Sequence, residues 1–89
     1  MEQLLIMLKI DLGITTSAYD ARLLQYLENA QRQIEQEGVT VNTTDPLDGS
    51  LVVMYAAWMW RRRDSMEGMP RMLRYQLNNR LFAQKAGGV

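Results

Sequence analysis

Residues 51–60 read LVVMYAAWMW, an unbroken apolar run that Arg61, Arg62 and Arg63 follow directly. A helix needs about 20 apolar residues to cross a bilayer, so this run is too short to span a membrane. A helix on the surface of a soluble domain has an apolar stripe and a polar back, whereas this run is apolar all round. We therefore expect a helix with protein on both sides, its own core on one side and a partner on the other.

Helix start and stop signals surround this run and predict an all-α fold, a small bundle of about four helices. Asp45-Pro46 is typical of a helix start, with the aspartate as N-cap and the proline in the first turn. Gly13 and Gly38 are placed to end the two preceding helices, and Pro70 starts the last one. The predicted helices cover residues 2–12, 18–37, 46–63 and 70–84, and residues 83–89 are expected to be a flexible tail.

Apolar side chains recur at helical spacing in three of these segments, which indicates the faces that pack on a protein surface. Ser17 and Asp20 form a weak capping box at the start of the second helix. The stripes consist of Leu5, Leu8 and Leu12 in the first helix, of Leu23, Leu27, Ala30 and Ile34 in the second, and of Leu73, Leu77 and Leu81 in the last.

The chain has 89 residues and a net charge of zero, which is enough for one domain. A chain of this size buries only about 60 to 65% of its unfolded surface and gains stability from oligomerisation. The charge is divided unevenly, with a balance of −5 over residues 1–50 and +5 over residues 51–89. Oppositely charged halves favour head-to-tail pairing of two copies of the chain. Neutralisation of the two halves within one monomer explains the uneven charge equally well.

The residue types that carry most enzyme chemistry are missing. The sequence contains no histidine and no cysteine, so the commonest general base and the usual zinc ligands are absent. Asp45 and Asp48 are better explained by helix capping than as a catalytic carboxylate pair. The N-terminal residues lack the basic segment of a signal peptide. We therefore expect a protein that is not an enzyme and that uses no metal or cofactor.

The end of the apolar run contains the candidate interface residues. Three arginines at a helix C-terminus favour pairing with the helix dipole, then ion pairs with an acidic neighbour, then phosphate contacts, in that order. Trp58 and Trp60 lie about 200° apart on a helix and cannot share a face. One is expected in the core, and the other faces a partner, solvent, lipid or a covering loop of the same chain. The candidate subunit or portal interface consists of Trp58, Trp60, Arg61, Arg62, Arg63, Pro70, Leu73, Leu77 and Leu81.

The order of these motifs resembles the small head–tail connector, or adaptor, proteins of tailed bacteriophages and prophages. The resemblance covers nearly the whole chain, and its elements are specific together rather than singly. The matching segments are Leu12-Gly-Ile-Thr-Thr, Glu37-Gly-Val, Asp45-Pro-Leu, Arg61-Arg-Arg-Asp, Gly68-Met-Pro-Arg-Met-Leu-Arg-Tyr75 and Asn78-Asn-Arg-Leu-Phe82.

The resemblance implies an all-α protomer that assembles with copies of itself into a ring, a dodecamer in the virion. The ring would lie beneath the portal protein at the head–tail junction and contact the next tail-side connector or stopper protein. DNA would pass through its centre without sequence-specific contacts, and no membrane would be involved. The protein would be made in the cytoplasm of the bacterial host.

A small DNA-binding regulatory protein is the alternative, with residues 70–84 as its recognition helix. Arg71, Arg74, Gln76, Asn78 and Asn79 are residue types that read base edges. The connection over 64–69 is longer than the usual helix-turn-helix turn, and the chain lacks a basic excess. A packing subunit of a heteromeric complex unrelated to phages is a third interpretation.

Overall fold

The computed structural model describes residues 1–87 and is an all-α bundle, which confirms the predicted fold class. Its helices are α1 (Glu2–Leu12), α2 (Asp20–Gln36), α3 (Pro46–Arg61) and α4 (Arg71–Gly87), with a short 3-10 turn over Arg62–Asp64. These 87 residues contain no β-strand.

The helix boundaries agree with the predicted ones to within one residue except at three ends. Gly13 ends α1 with φ 72, the left-handed conformation expected of a glycine C-cap. Asp45 caps α3, and its carboxylate accepts a hydrogen bond from the Leu47 amide at 2.8 Å. α3 ends at Arg61, two residues before its predicted end, because the chain continues as the 3-10 turn from Arg62.

The predicted capping box at Ser17 was wrong. α2 begins at Asp20 with Tyr19 as N-cap, and no side chain caps it. The preceding residues form a turn instead, in which the Thr16 hydroxyl accepts a hydrogen bond from the Ala18 amide at 3.2 Å. Asp20 instead forms an ion pair with α1, in which its carboxylate lies 2.9 Å from the Lys9 ammonium.

The last helix extends past its predicted end and includes residues 83–87, which were expected to be a flexible tail. The Gln84 side chain accepts from the Thr40 amide and donates to the Thr40 carbonyl, both at 2.8 Å. This pair of hydrogen bonds fastens the last turns of α4 to the loop between α2 and α3. The remaining tail residues, 88 and 89, lie outside the described part of the chain.

The apolar run forms the central helix of the bundle, and its own chain surrounds it. α1 and α2 pack together on α3, and α4 packs on it as well. Met54 and Met59 are half-buried, and the other eight residues of the run are buried. The expectation that one side of this helix faces a partner was therefore wrong, because three helices of the same chain cover it.

A glycine allows α1 to approach the central helix closely. A Cβ atom added at Gly49 would lie 3.0 Å from the Leu4 side chain. This separation is shorter than ordinary van der Waals contact, so a larger residue here would require the Leu4 side chain to shift by a few tenths of an ångström. Leu4 and Leu8 are buried at this crossing.

The Leu73–Leu77–Leu81 stripe docks α4 on the core of its own chain, one of the two surfaces foreseen for it. Leu73 and Leu77 are each 1% exposed, and Leu81 is half-buried against the same core. Pro70 is exposed and precedes the helix, and its carbonyl accepts the first helical hydrogen bond from Arg74.

An ion pair between a buried aspartate and a half-buried arginine also holds α4 on the bundle, beside the leucine stripe. Asp48 is 2% exposed. Its carboxylate accepts a hydrogen bond from the Arg80 guanidinium at 2.8 Å and another from the backbone N–H of Asn42 at 2.9 Å. Arg80 also lies 3.4 Å from the Asp45 carboxylate. The network joins the loop before α3, the first turn of α3 and the middle of α4.

Arg80→Ala should lower the free energy of unfolding by about 2–4 kcal/mol, because it leaves the Asp48 carboxylate buried without its cation. Arg71→Ala is the matched control, since Arg71 is exposed on the same helix and should change stability by less than about 0.5 kcal/mol. Urea denaturation followed by circular dichroism measures both. Equal stability of the two variants would contradict the structural role of the pair.

Leu77→Ala should cost about 2–4 kcal/mol through lost burial and the cavity left beneath α4. Phe82→Ala serves as control, because Phe82 is 78% exposed and its removal leaves no cavity. The same denaturation measurement applies. A Leu77 variant as stable as the parent would show that α4 does not depend on this contact.

Candidate interaction surface

The two tryptophans at the end of α3 are covered by their own chain. Each is 9% exposed. The Trp58 indole N–H donates to the Gly68 carbonyl at 3.1 Å, so the connection between α3 and α4 folds over it. Its ring also packs edge-on against Tyr55, with centroids 5.4 Å apart. The covering loop considered from the sequence is therefore confirmed for Trp58.

Trp60 lies on the opposite side of α3 and packs against aromatic rings of the second helix region. Its ring meets Tyr19 and Tyr26 edge-on, with centroid separations of 5.9 and 5.4 Å. Such edge-to-face pairs stabilise a fold beyond the area that they bury. Both tryptophans thus contribute to the core, and neither offers a free anchor for a partner.

Each arginine of the 61–63 cluster has a partner within the chain. Arg61 reaches α1, where its guanidinium lies 3.7 Å from the Asp11 carboxylate. Arg62 stacks over the Trp58 ring at 4.3 Å, and Arg63 stacks over the Trp60 ring at 3.9 Å. Arg63 also donates to the Trp60 carbonyl at the end of the helix. These contacts favour a structural role, with the guanidinium groups shielding the tryptophan faces from water.

The opposite charges of the two halves meet within one monomer. Arg74 binds the Glu37 carboxylate with two hydrogen bonds, at 2.6 and 3.3 Å, and this contact raises the pKa of the Arg74 guanidinium. Arg61 and Arg80 likewise pair with acidic residues of the first half. Intramolecular neutralisation therefore accounts for much of the charge division.

Two exposed apolar stripes were missed by the sequence reasoning. The α1 stripe is defined as Ile6, Met7 and Ile10, which are 57, 43 and 76% exposed. The α4 stripe is defined as Met72, Tyr75 and Phe82, which are 63, 63 and 78% exposed.

Most of both stripes lies opposite the buried face of its helix, whereas Met7 lies beside that face on α1. At 100° per residue, Ile6 and Ile10 face away from Leu4 and Leu8. At the same angle per residue, Met72, Tyr75 and Phe82 lie on the side of α4 that faces away from Leu77. The signal was present in the sequence, but Leu5, Leu8 and Leu12 formed an equally periodic set on α1, and only the fold shows which set is buried.

A groove lies beside the α4 stripe, on the flank of α4 that meets α3. It has a volume of about 430 Å³ and lies between the start of α3 and that flank. Leu47, at its edge, is 66% exposed. The groove is lined by Leu47, Ser50, Leu51, Gln76, Asn79, Arg80 and Ala83.

Over residues 1–87, no helix has the length and hydropathy of a membrane span. The same residues contain no group of three or more histidine, cysteine, aspartate or glutamate side chains placed to hold a metal ion. The chain matches no protein-family model, no curated protein and no solved structure.

Tyr55 is the one buried tyrosine whose ionisation the fold perturbs in the described residues. Burial, with a smaller contribution from the Glu37 carboxylate, raises the pKa of its phenol above the usual 10.0. The folded chain therefore holds the proton more tightly than the unfolded chain. The resulting stabilisation is complete below about pH 10 and is lost as the pH rises through the folded-state pKa.

Tyr55→Phe should make unfolding less sensitive to alkali, because the variant has no phenol to ionise at this position. The parent should lose stability relative to Tyr55→Phe as the pH rises above about 10. Tyr75→Phe is the control, since it makes the same chemical change at an exposed position. Urea denaturation across this pH range measures the difference, and parallel profiles for parent and Tyr55→Phe would contradict it.

Proposed function

We propose that this protein is a head–tail connector of a tailed bacteriophage or prophage. In this role it assembles as a ring beneath the portal, joins the capsid to the tail and lets DNA pass through its centre. The observation that carries the proposal is the presence of two exposed apolar stripes on separate helices of one small bundle. A ring subunit needs two different contact surfaces, one for each neighbour.

The resemblance of the motif order supplies the portal and the tail-side protein as partners. The structure alters which residues are candidates for those contacts. Trp58, Trp60, Leu73 and Leu77 are buried, so they support the subunit from within. The α1 stripe, the α4 stripe and the adjoining groove take their place as the candidate contact surfaces.

The distribution of charge supports a passive relation to DNA. The net charge is zero, and the three arginines of the 61–63 cluster are engaged within the chain. A channel that DNA must traverse benefits from weak contacts, because each neutralised phosphate adds affinity. The arrangement also weakens the case for a regulator, since Arg74 and Arg80 of its recognition helix are held by acidic residues.

Deletion of the gene from the phage or prophage should yield heads that are DNA-filled or leaking and that lack tails. Free tails should be normal, because the connector acts only after heads and tails are built separately. Electron microscopy of lysates measures the outcome, and the parental gene supplied in trans should restore tailed particles. Fully tailed, infectious particles made without this protein would refute the proposal.

Binding to DNA separates the connector from the regulator. The isolated protein should show no sequence-selective binding to duplex DNA at physiological salt in a titration against random and candidate operator fragments. Sub-micromolar, sequence-selective binding would favour the regulator, because specific protein–DNA complexes have sub-micromolar dissociation constants.

A further inference from the structure

We propose that the α1 stripe of one copy docks on the α4 stripe and groove of the next copy. The contact joins two different surfaces of the same chain, so it is heterologous. This inference deepens the proposed ring and rests on the proposed function for its biological setting, but the contact itself can be measured on the isolated protein.

Exposure and spacing indicate that both stripes are built to be covered. Other apolar stripes of this chain, such as Leu23–Leu27–Ile34 and Leu73–Leu77, are buried in the bundle. The two exposed stripes remain open because no other part of the described chain covers them. An amphipathic helix that inserts its apolar face into a groove is a common mode of protein recognition.

Charge complementarity identifies the occupant as a second copy. The exposed Glu2 carboxylate flanks the α1 stripe near its start and takes part in no ion pair among the described residues, whereas Asp11, near the other end, is paired with Arg61 of its own chain. Arg71 and Lys85 flank the α4 stripe along one edge and are likewise without an ion pair in the described part of the chain. The free Glu2 carboxylate thus meets a basic rim when the stripes of two copies come together.

The same charges disfavour symmetrical pairing. Two α1 stripes in contact would place the free Glu2 carboxylates of both copies at one interface, and two α4 stripes would bring Arg71 and Lys85 of both copies together. Like charges at a contact oppose association. Only the mixed pairing combines apolar burial with opposite charges.

A mixed pairing propagates from copy to copy. Each added copy uses its α1 stripe and presents a free α4 stripe, so association continues until the rotation between neighbours closes the assembly. The contact therefore provides the type of interface that a ring requires. It also places the first and last helices, rather than the central one, between subunits.

Cysteine cross-linking tests the contact cleanly because the natural chain has no cysteine. Ile6→Cys and Phe82→Cys variants with tags of different size are mixed at high concentration and oxidised. All substituted side chains are exposed, and circular dichroism checks that each variant is folded. We expect the mixed disulfide to exceed several-fold the dimer formed by the exposed control Gln33→Cys. The double variant should form a ladder of covalent multimers.

Charge exchange provides a second, independent measurement. Arg71→Glu in the Phe82→Cys partner should reduce the mixed disulfide several-fold, and adding Glu2→Lys to the Ile6→Cys partner should restore it. A yield at the level of Gln33→Cys, or disulfides that form only between identical variants, would overturn the proposal. So would a yield that neither charge change affects.

The outcomes distinguish this inference from the proposed function. Mixed disulfides together with infectious particles after gene deletion would retain the contact and refute the connector. Tailless heads after deletion, without mixed disulfides, would retain the connector and refute this contact.

Discussion

A helix that is apolar on every side must be covered on every side, and this requirement determines where the rest of the chain lies. α3 occupies the centre, α1 and α2 pack together on it, and α4 packs on it as well. The connection after the 3-10 turn folds back so that the Gly68 carbonyl reaches the indole of Trp58. Burial of one run of residues thus arranges three helices and a loop around it.

Polar contacts then fix the arrangement that apolar burial permits. Lys9–Asp20 joins α1 to the start of α2, and Asp48–Arg80 joins α3 to α4. Asp48–Arg80 favours the observed neighbours most strongly, because the buried Asp48 carboxylate would lose its cation if α4 lay elsewhere. The arginines after α3 act in the same way, because Arg62 and Arg63 cover the tryptophan faces that would otherwise contact water.

Local signals predicted much of the fold because they act over a few residues. The Asp45 cap, the Gly13 C-cap and the Leu73–Leu77 stripe each depend on neighbours in sequence. The surroundings of α3 could not be predicted in this way, because they depend on helices far away along the chain. For the same reason Trp58 and Trp60 were assigned to an interface, while the exposed apolar stripes of α1 and α4 were overlooked.

Asp48 shows most clearly why the candidate surface needed the fold. Its position in the first turn of α3 suggests a charge favourable to the helix dipole, and that reasoning requires no partner. Its burial and its bond to Arg80 depend on a residue 32 positions later. No spacing rule connects two such distant residues, so neither the ion pair nor the resulting orientation of the α4 stripe could be read from local pattern.

The attachment of α4 has a consequence for how the bundle opens. α4 packs chiefly against one other helix, and two polar ties, Asp48–Arg80 and Gln84–Thr40, fasten it at its middle and its end. A segment held in this way forms a cooperative unit whose release needs less free energy than global unfolding. Its backbone amides would exchange with solvent as a group, ahead of those of α3. Detachment would uncover Leu73 and Leu77 while the other helices stay folded. α4 is therefore a segment that can separate from an intact three-helix core.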